Sequence, residues 1–449
     1  MISITRAKEL KGTLRLPPSP DLFFVSLVLA VATGCRTRID AVAQTPLVDL
    51  WCAWFKNRAS IEFNAQSCDI IPAPDGSESL RLCYPDVPYP DITAFLLLAH
   101  DKTLELSALP PLIRAQWQRC AERAGCVLSV SAAGDVQTLT LEKTEYFHVP
   151  DVAVDIDDVH PFLALAMGLK QPVECVVSQP WSSPLRSALA AFGFPCVVKS
   201  LVRKTDEDPL MRRFRFLKTG KKSEGPQQFT ITVDFSKTPC VETRVDLPGD
   251  EMLAGLIIAA KCLIPKGSLV LENVGLESWN TQILQMVKNM GATLGMQEER
   301  VGTYGSAGSV VVQKIALFGR KVDCRPRYQF AAQLPAMVVV AAFAQGQSIF
   351  RNLDYLRNDD PDGIEQIYAC IAALGARHGE MPDGIVMEGA RQFDGFDLPQ
   401  ALPAHVAGAF AVAGLKCIGT TTVADEAIIR RWPDFGALLS SISEFKETN

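Results

Sequence analysis

One unit of sequence recurs along this chain: an apolar helix, a turn, a short alternating strand, and a second helix closed by glycine. Its clearest copy runs from Asp246 to Leu294. Leu247-Pro248-Gly249-Asp250 reads as a turn ending in a helix cap, because the Asp250 carboxylate can accept from the free N–H groups of the next turn. Glu251 to Cys262 is apolar and closes at Pro265-Lys266-Gly267. Ser268 to Val274 alternates as a strand does, and Ile283, Leu284, Met286, Val287 and Met290 fall at helical spacing. Gly291 ends that helix in the left-handed conformation that a β-carbon resists.

The same order is read five more times, beginning at Leu22–Ala32, Asp91–Ala99, Pro161–Met167, Gln333–Ala344 and Ala404–Leu415. About six copies of one unit decide the fold before any other signal. The leading helices are apolar nearly all round, so each belongs inside a domain rather than on a surface. Lys8–Leu16 and Arg244–Leu247 both read as strands ending in Leu-Pro, each before an apolar helix. Three repeats lie between them and three follow. The expectation is one domain inserted into another, with residues 1–16 and 247–449 forming the first and 17–246 the second.

At 449 residues the chain exceeds one ordinary core. Its 48% hydrophobic and 21% charged residues are those of a globular protein. Met1–Thr13 lacks the apolar segment of a signal peptide, and the apolar runs are too short to cross a bilayer. The 13 scattered cysteines read as buried thiols of a cytoplasmic protein. The five histidines show no metal-binding spacing. A net charge of −6 argues against a broad nucleic-acid surface. The one basic run, Lys199 to Lys222, reads as a solvated hairpin at a sheet edge or as a patch for a polyanion. The glycines of Gly302–Gly308 read as a hairpin; no Lys-Ser or Lys-Thr follows to make a phosphate loop.

With these elements in place, the chain resembles the enolpyruvyl transferase family, and within it the 5-enolpyruvylshikimate-3-phosphate synthases. The resemblance rests on Leu247-Pro248-Gly249-Asp250, Leu271-Glu272-Asn273-Val274-Gly275, Arg351-Asn352-Leu353, Pro382-Asp383-Gly384 and Arg431-Trp432-Pro433-Asp434-Phe435. It implies an α/β fold of two domains, each with three βαβαββ-type repeats around buried helices (an inside-out α/β barrel), and substrates in the cleft between them. It also implies transfer of the enolpyruvyl group of phosphoenolpyruvate to shikimate 3-phosphate, without metal or organic cofactor. Two substrates that each carry a phosphate and a carboxylate require several Lys and Arg side chains around them.

Those cations are largely missing. The family's Leu-Pro-Gly-Ser-Lys-Ser reads Leu16-Pro17-Pro18-Ser19-Pro20-Asp21, and Val25 stands where an Arg follows. The Arg-Pro pair becomes Leu109-Pro110 or Pro110-Pro111, and the Ser-Ser-Gln aligns near Val159-His160-Pro161. Lys-Glu-Ser-Asp-Arg becomes Asp359-Asp360-Pro361-Asp362-Gly363, and Asp-His-Arg becomes Ala404-His405-Val406. The resemblance leaves Asp360 and His405 as candidate acid/base groups and Ser178, Arg357 and Arg430 as candidate substrate contacts. Asp359-Asp360 also reads as a capping turn and His405 as a helix N-terminal polar residue. Asp21, Asp91, Asp250 and Glu251, at helix starts, are expected to be satisfied by the protein's own backbone.

Two functions stay open. One is a divergent homologue with lost or altered enolpyruvyl transfer, binding a small molecule in the cleft or a protein partner. The other is an active carboxyvinyltransferase acting on shikimate 3-phosphate or on a less charged acceptor. Without the usual anions to draw the domains together, the cleft should stand open unless direct contacts between the domains replace them.

Overall fold

The computed structural model describes the chain outside residues 65–66, 74–79, 84–85, 88–92, 95, 99–102, 144–153, 156–158, 202–227, 314, 326–329, 359–362 and 446–449. The apolar helices lie at the centre of two separate cores. One core is built by the buried helices Pro20–Thr33 and Val159–Gly168 and by Leu96, Leu97 and Leu98. The other is built by Glu251–Leu263, Leu334–Ala342 and Ala404–Gly414, which pack against one another. These helices show almost no amphipathic bias because no face of them meets water.

Sheets wrap the outside and repeat one pattern. Arg36–Asp40 runs parallel to Glu242–Asp246 and antiparallel to Ser67–Pro72, which pairs with Ala59–Asn64. Leu269–Gly275 sits likewise between Gly12–Arg15, parallel, and the hairpin of Gly305–Gln313 with Thr293–Gly302. Thr103–Ser107 and Gly346–Arg351 each hold the same place in a further four-stranded sheet. The last repeat is closed by the start of the chain, where Ile2–Thr5 pairs antiparallel with Thr420–Val423.

Local sequence explains the ends of these elements. Ser19 Oγ accepts from the Leu22 N–H at 3.3 Å, and Gly34 stops the helix at φ 68°. Asp250 caps the next long buried helix through Met252 N at 2.9 Å and Leu253 N at 3.2 Å. At that helix's far end the buried Lys261 Nζ donates to the carbonyls of Pro265 at 2.9 Å and Gly267 at 2.7 Å, holding the turn that follows the helix.

Three readings of the sequence change. The strand expected over Lys8–Leu16 is two, Ala7–Leu10 and Gly12–Arg15, because its halves pair with different partners, Ser443–Phe445 and Leu269–Gly275. A six-residue helix, Glu426–Arg431, stands where no helix was expected. Gly302–Gly308 is a hairpin segment as read, but Tyr304 from its turn is buried in the opposite core, together with Trp279. Of the basic run, Lys199 lies in the edge strand Val197–Leu201; residues 202–222 lie outside the described residues.

Candidate functional site

The two chain segments that pass between the cores run side by side. Pro18 and Gly249 form an antiparallel bridge, with Ser19 N donating to Pro248 O at 2.9 Å and Asp250 N to Pro17 O at 2.8 Å. Asn273 ties both segments, since its Nδ2 donates to Leu16 O at 3.1 Å and its own carbonyl accepts from Gly249 N at 2.7 Å. A β-carbon on Gly249 would stand 2.5 Å from that carbonyl and 2.6 Å from Leu16 Cβ, so only glycine fits there. This geometry brings the starts of the helices Pro20–Thr33 and Glu251–Leu263 together, one from each core.

Two aligned helix N-termini favour an anion between them. Here the chain supplies its own charges. Asp21, Asp250 and Glu251 are all buried at this point, as is the guanidinium of Arg431. Arg431 donates from Nη1 to Asp21 Oδ1 at 2.8 Å and from Nη2 to Asp21 Oδ2 at 3.1 Å, a paired fork. Its Nη2 also reaches Asp250 Oδ2 at 3.2 Å, and Trp432 Nε1 donates to the same oxygen at 2.9 Å. Ser19 Oγ donates to Glu251 Oε2 at 2.8 Å. The backbone-only satisfaction expected for these acids therefore holds for Asp250 in part. Asp21 is taken by Arg431, while Ser19 serves as the cap.

Burial, and then the charges of Asp21 and Asp250, push the Glu251 carboxyl up to about 8. Burial also raises Asp21 above the usual carboxylate range, against the pull of Arg431. Burial works against the charge of Arg431, but Asp21 and Asp250 outweigh it and hold the guanidinium protonated. At neutral pH the cluster thus holds a buried guanidinium at Arg431 and a protonated carboxyl at Glu251.

A cavity of about 590 Å³ opens beside this cluster, between the two cores. Leu47, Trp51, Asp86 and Val87 line it from one side and Met252, Leu334, Ile367, Leu402, His405 and Arg430 from the other. Arg430 is ion-paired with Asp86 across the cavity's edge, Nη1 to Oδ2 at 3.4 Å and Nη2 to Oδ1. Both arginines sit on the short helix Glu426–Arg431, which packs against Pro46–Phe55 of the other core. Further contacts cross between the cores, including Tyr304 Oη to Ser26 Oγ at 2.8 Å and Ser278 Oγ to Ser182 Oγ at 2.6 Å. These are direct contacts of the kind that can stand in for ligand-driven closure.

Of the sequence candidates, His405 and Arg430 line the cavity. Close packing, and then the charge of Arg431, push the His405 imidazole down to about 4, so it is neutral at physiological pH. Arg357 lies on the turn Asp354–Asn358 and donates to the carbonyls of Pro382 and Met381, both at 3.3 Å. Ser178 is exposed just past the strand Pro172–Val177. Neither residue is among those lining the cavity. Asp360, like Asp359 and Asp91, lies outside the described residues. Sequence reasoning missed Arg431 as a site residue. Its signal was the second Arg of Arg430-Arg431, together with an Asp at position 21, at the start of an apolar helix. Among the described residues no group of three or more His, Cys, Asp or Glu is placed to hold a metal ion.

The family model for EPSP synthase (3-phosphoshikimate 1-carboxyvinyltransferase) matches residues 177–439, more than half of the chain. The chain belongs to the EPSP synthase family. Curated EPSP synthase relatives agree. The 3-phosphoshikimate 1-carboxyvinyltransferase of Brevibacillus brevis is 30% identical over 203 residues, 44% of this chain and 47% of that protein. That of Salinibacter ruber is 31% identical over 225 residues, 49% and 51%. The chain thus spans about half the length of the curated relatives it matches. Among solved structures, EPSP synthase from Acinetobacter baumannii superposes with a TM-score of 0.69 at 17% identity, covering 99% of this chain and 98% of that one. The enolpyruvyl transferase NikO from Streptomyces tendae gives 0.67 at 14% identity, covering 98% and 96%. At those identities the likeness is one of fold: the two-domain inside-out α/β architecture of EPSP synthase.

Proposed function

We propose that this chain is a divergent EPSP synthase homologue whose cleft no longer supports the standard enolpyruvyl transfer, and that it acts by binding, as a regulatory or scaffolding protein. One observation carries the reading: the two arginines that line the cavity are each neutralised by the chain's own carboxylates, Arg431 by Asp21 and Asp250, and Arg430 by Asp86. A ligand pair with a phosphate and a carboxylate on each member would meet Asp side chains already holding both arginines among the described lining residues. Loss of a buried charge contact costs about 2–5 kcal/mol, so several such losses end useful affinity.

The two cores support the discontinuous domains 1–16 with 247–449 and 17–246. The thirteen free thiols fit a reducing cytoplasm, and no helix among the described residues is long and apolar enough to cross a membrane. A second reading, transfer to a less charged acceptor, rests on the neutral His405 beside the cavity, which can accept a hydrogen bond from a hydroxyl although its low pKa makes it a weak base. Titration calorimetry with shikimate 3-phosphate and phosphoenolpyruvate, followed by a phosphate-release assay, tests the first reading, and a thermal-shift screen of neutral and cationic ligands tests the second. We expect no binding of shikimate 3-phosphate and no phosphate release. Micromolar binding with turnover would overturn the proposal.

A further inference from the structure

The cavity's two arginines differ in what they can still do. Arg431 has a side chain only 6% exposed and is committed to two carboxylates. Arg430 is 44% exposed, and its carboxylate partner among the described residues is Asp86. Arg430 keeps access to water although Asp86 is only 16% exposed, and a partly exposed pair gains little over its solvated parts, so a competing carboxylate can take the open side of Arg430 from Asp86. The guanidinium fork matches one carboxylate well. The walls around it are aliphatic: Leu47 and Val87 on one side, Met252, Leu334, Ile367 and Leu402 on the other. The volume of about 590 Å³ lies in the range that encloses a small organic molecule.

We propose that this cavity binds an apolar monocarboxylate: an acid with a single carboxylate held by Arg430 in place of Asp86, and a hydrophobic body lodged between the two cores. A second anionic group has no exchangeable cation to meet among the described lining residues, because Arg431 is already spoken for. The body of the ligand is bound by removal of apolar surface from water. The neutral His405 adds a hydrogen-bonding edge without charge. This inference rests on the reading above that the cleft has lost its bis-anionic substrates.

The test uses the full chain and four probes in calorimetry and thermal shift: 3-phenylpropionate, its uncharged amide, phenylsuccinate with two carboxylates, and shikimate 3-phosphate. The monocarboxylate should bind, the amide should bind about two- to fivefold more weakly, and the second carboxylate of phenylsuccinate should bring no gain. Arg430→Gln should remove the preference for the acid over the amide. Asp86→Asn should tighten 3-phenylpropionate by up to about fivefold, because the internal competitor is gone. A merely structural Asp86 would leave affinity unchanged or lower it. Equal binding of acid and amide, failure of 3-phenylpropionate to bind, or unchanged or weakened binding in Asp86→Asn each overturns this inference. Phosphate release from shikimate 3-phosphate and phosphoenolpyruvate would instead overturn the reading beneath it; an empty panel without turnover sinks this inference alone.

Discussion

Arg430 and Arg431 are neighbours on one short helix, and each pairs with an Asp of the opposite core. Their surroundings make them different objects. Arg431 is sealed between two helix N-termini, where water cannot compensate a lost partner, so its fork to Asp21 acts as a rivet between the cores. Arg430 stays half in solvent, where water competes for its charge, so its pair with the more buried Asp86 acts as a latch. Two arginines of one helix thus yield a fixed contact and an exchangeable one, and burial together with the second carboxylate of Asp250 sets the difference.

The largest effect should come from breaking the rivet. Arg431→Met leaves Asp21 and Asp250 buried without their cation and should destabilise the fold by about 3–5 kcal/mol, read by urea unfolding. If the loss is under about 1 kcal/mol, the pair is no rivet.

Next in size is a pH effect confined to the buried side of the comparison. Glu251 titrates near 8 in the fold against an ordinary value of 4.5. The native state therefore keeps a proton that the unfolded chain gives up. Its contribution to stability is full below about pH 4.5 and is lost as pH rises through 8, at up to about 1.4 kcal/mol per pH unit. Glu251→Gln, a neutral mimic that keeps the Ser19 contact, should flatten that descent in denaturation curves taken from pH 5 to pH 9. An unchanged slope would place the proton elsewhere.

Tyr304→Phe removes the hydroxyl that meets Ser26 Oγ and, at 3.2 Å, the Leu22 carbonyl. It should cost about 1–2 kcal/mol by the same unfolding measurement, since polar partners are left buried. The smallest effect is expected at the latch: Asp86→Asn should change stability by no more than about 1 kcal/mol, less still in high salt. A loss as large as that of Arg431→Met would erase the distinction between the two arginines.

Much of the fold was legible in the residues. Apolar runs without a polar face could only be interior helices; Gly34 marked the end of one, and Gly291 and Gly375 the ends of the half-exposed helices Gln282–Met290 and Gly363–Leu374, because each adopts a positive φ. Asp250 was recognisable as a cap because capping is a contact between residues two and three apart. The Leu247-Pro248-Gly249-Asp250 turn carried the family resemblance, and Gly249 is required there by the close approach of Asn273 and Leu16. The helix Glu426–Arg431 escaped notice because six residues give too little periodicity to read.

Sequence by itself determined the buried helices and their caps, because each depends on local spacing or on the identity of single residues. Only the tertiary structure decided that Asp21 meets Arg431 across 410 positions and Asp86 meets Arg430 across 344. Pairing at such separations depends on how two cores pack. Whether a pair is rivet or latch depends on how much water that packing leaves beside it.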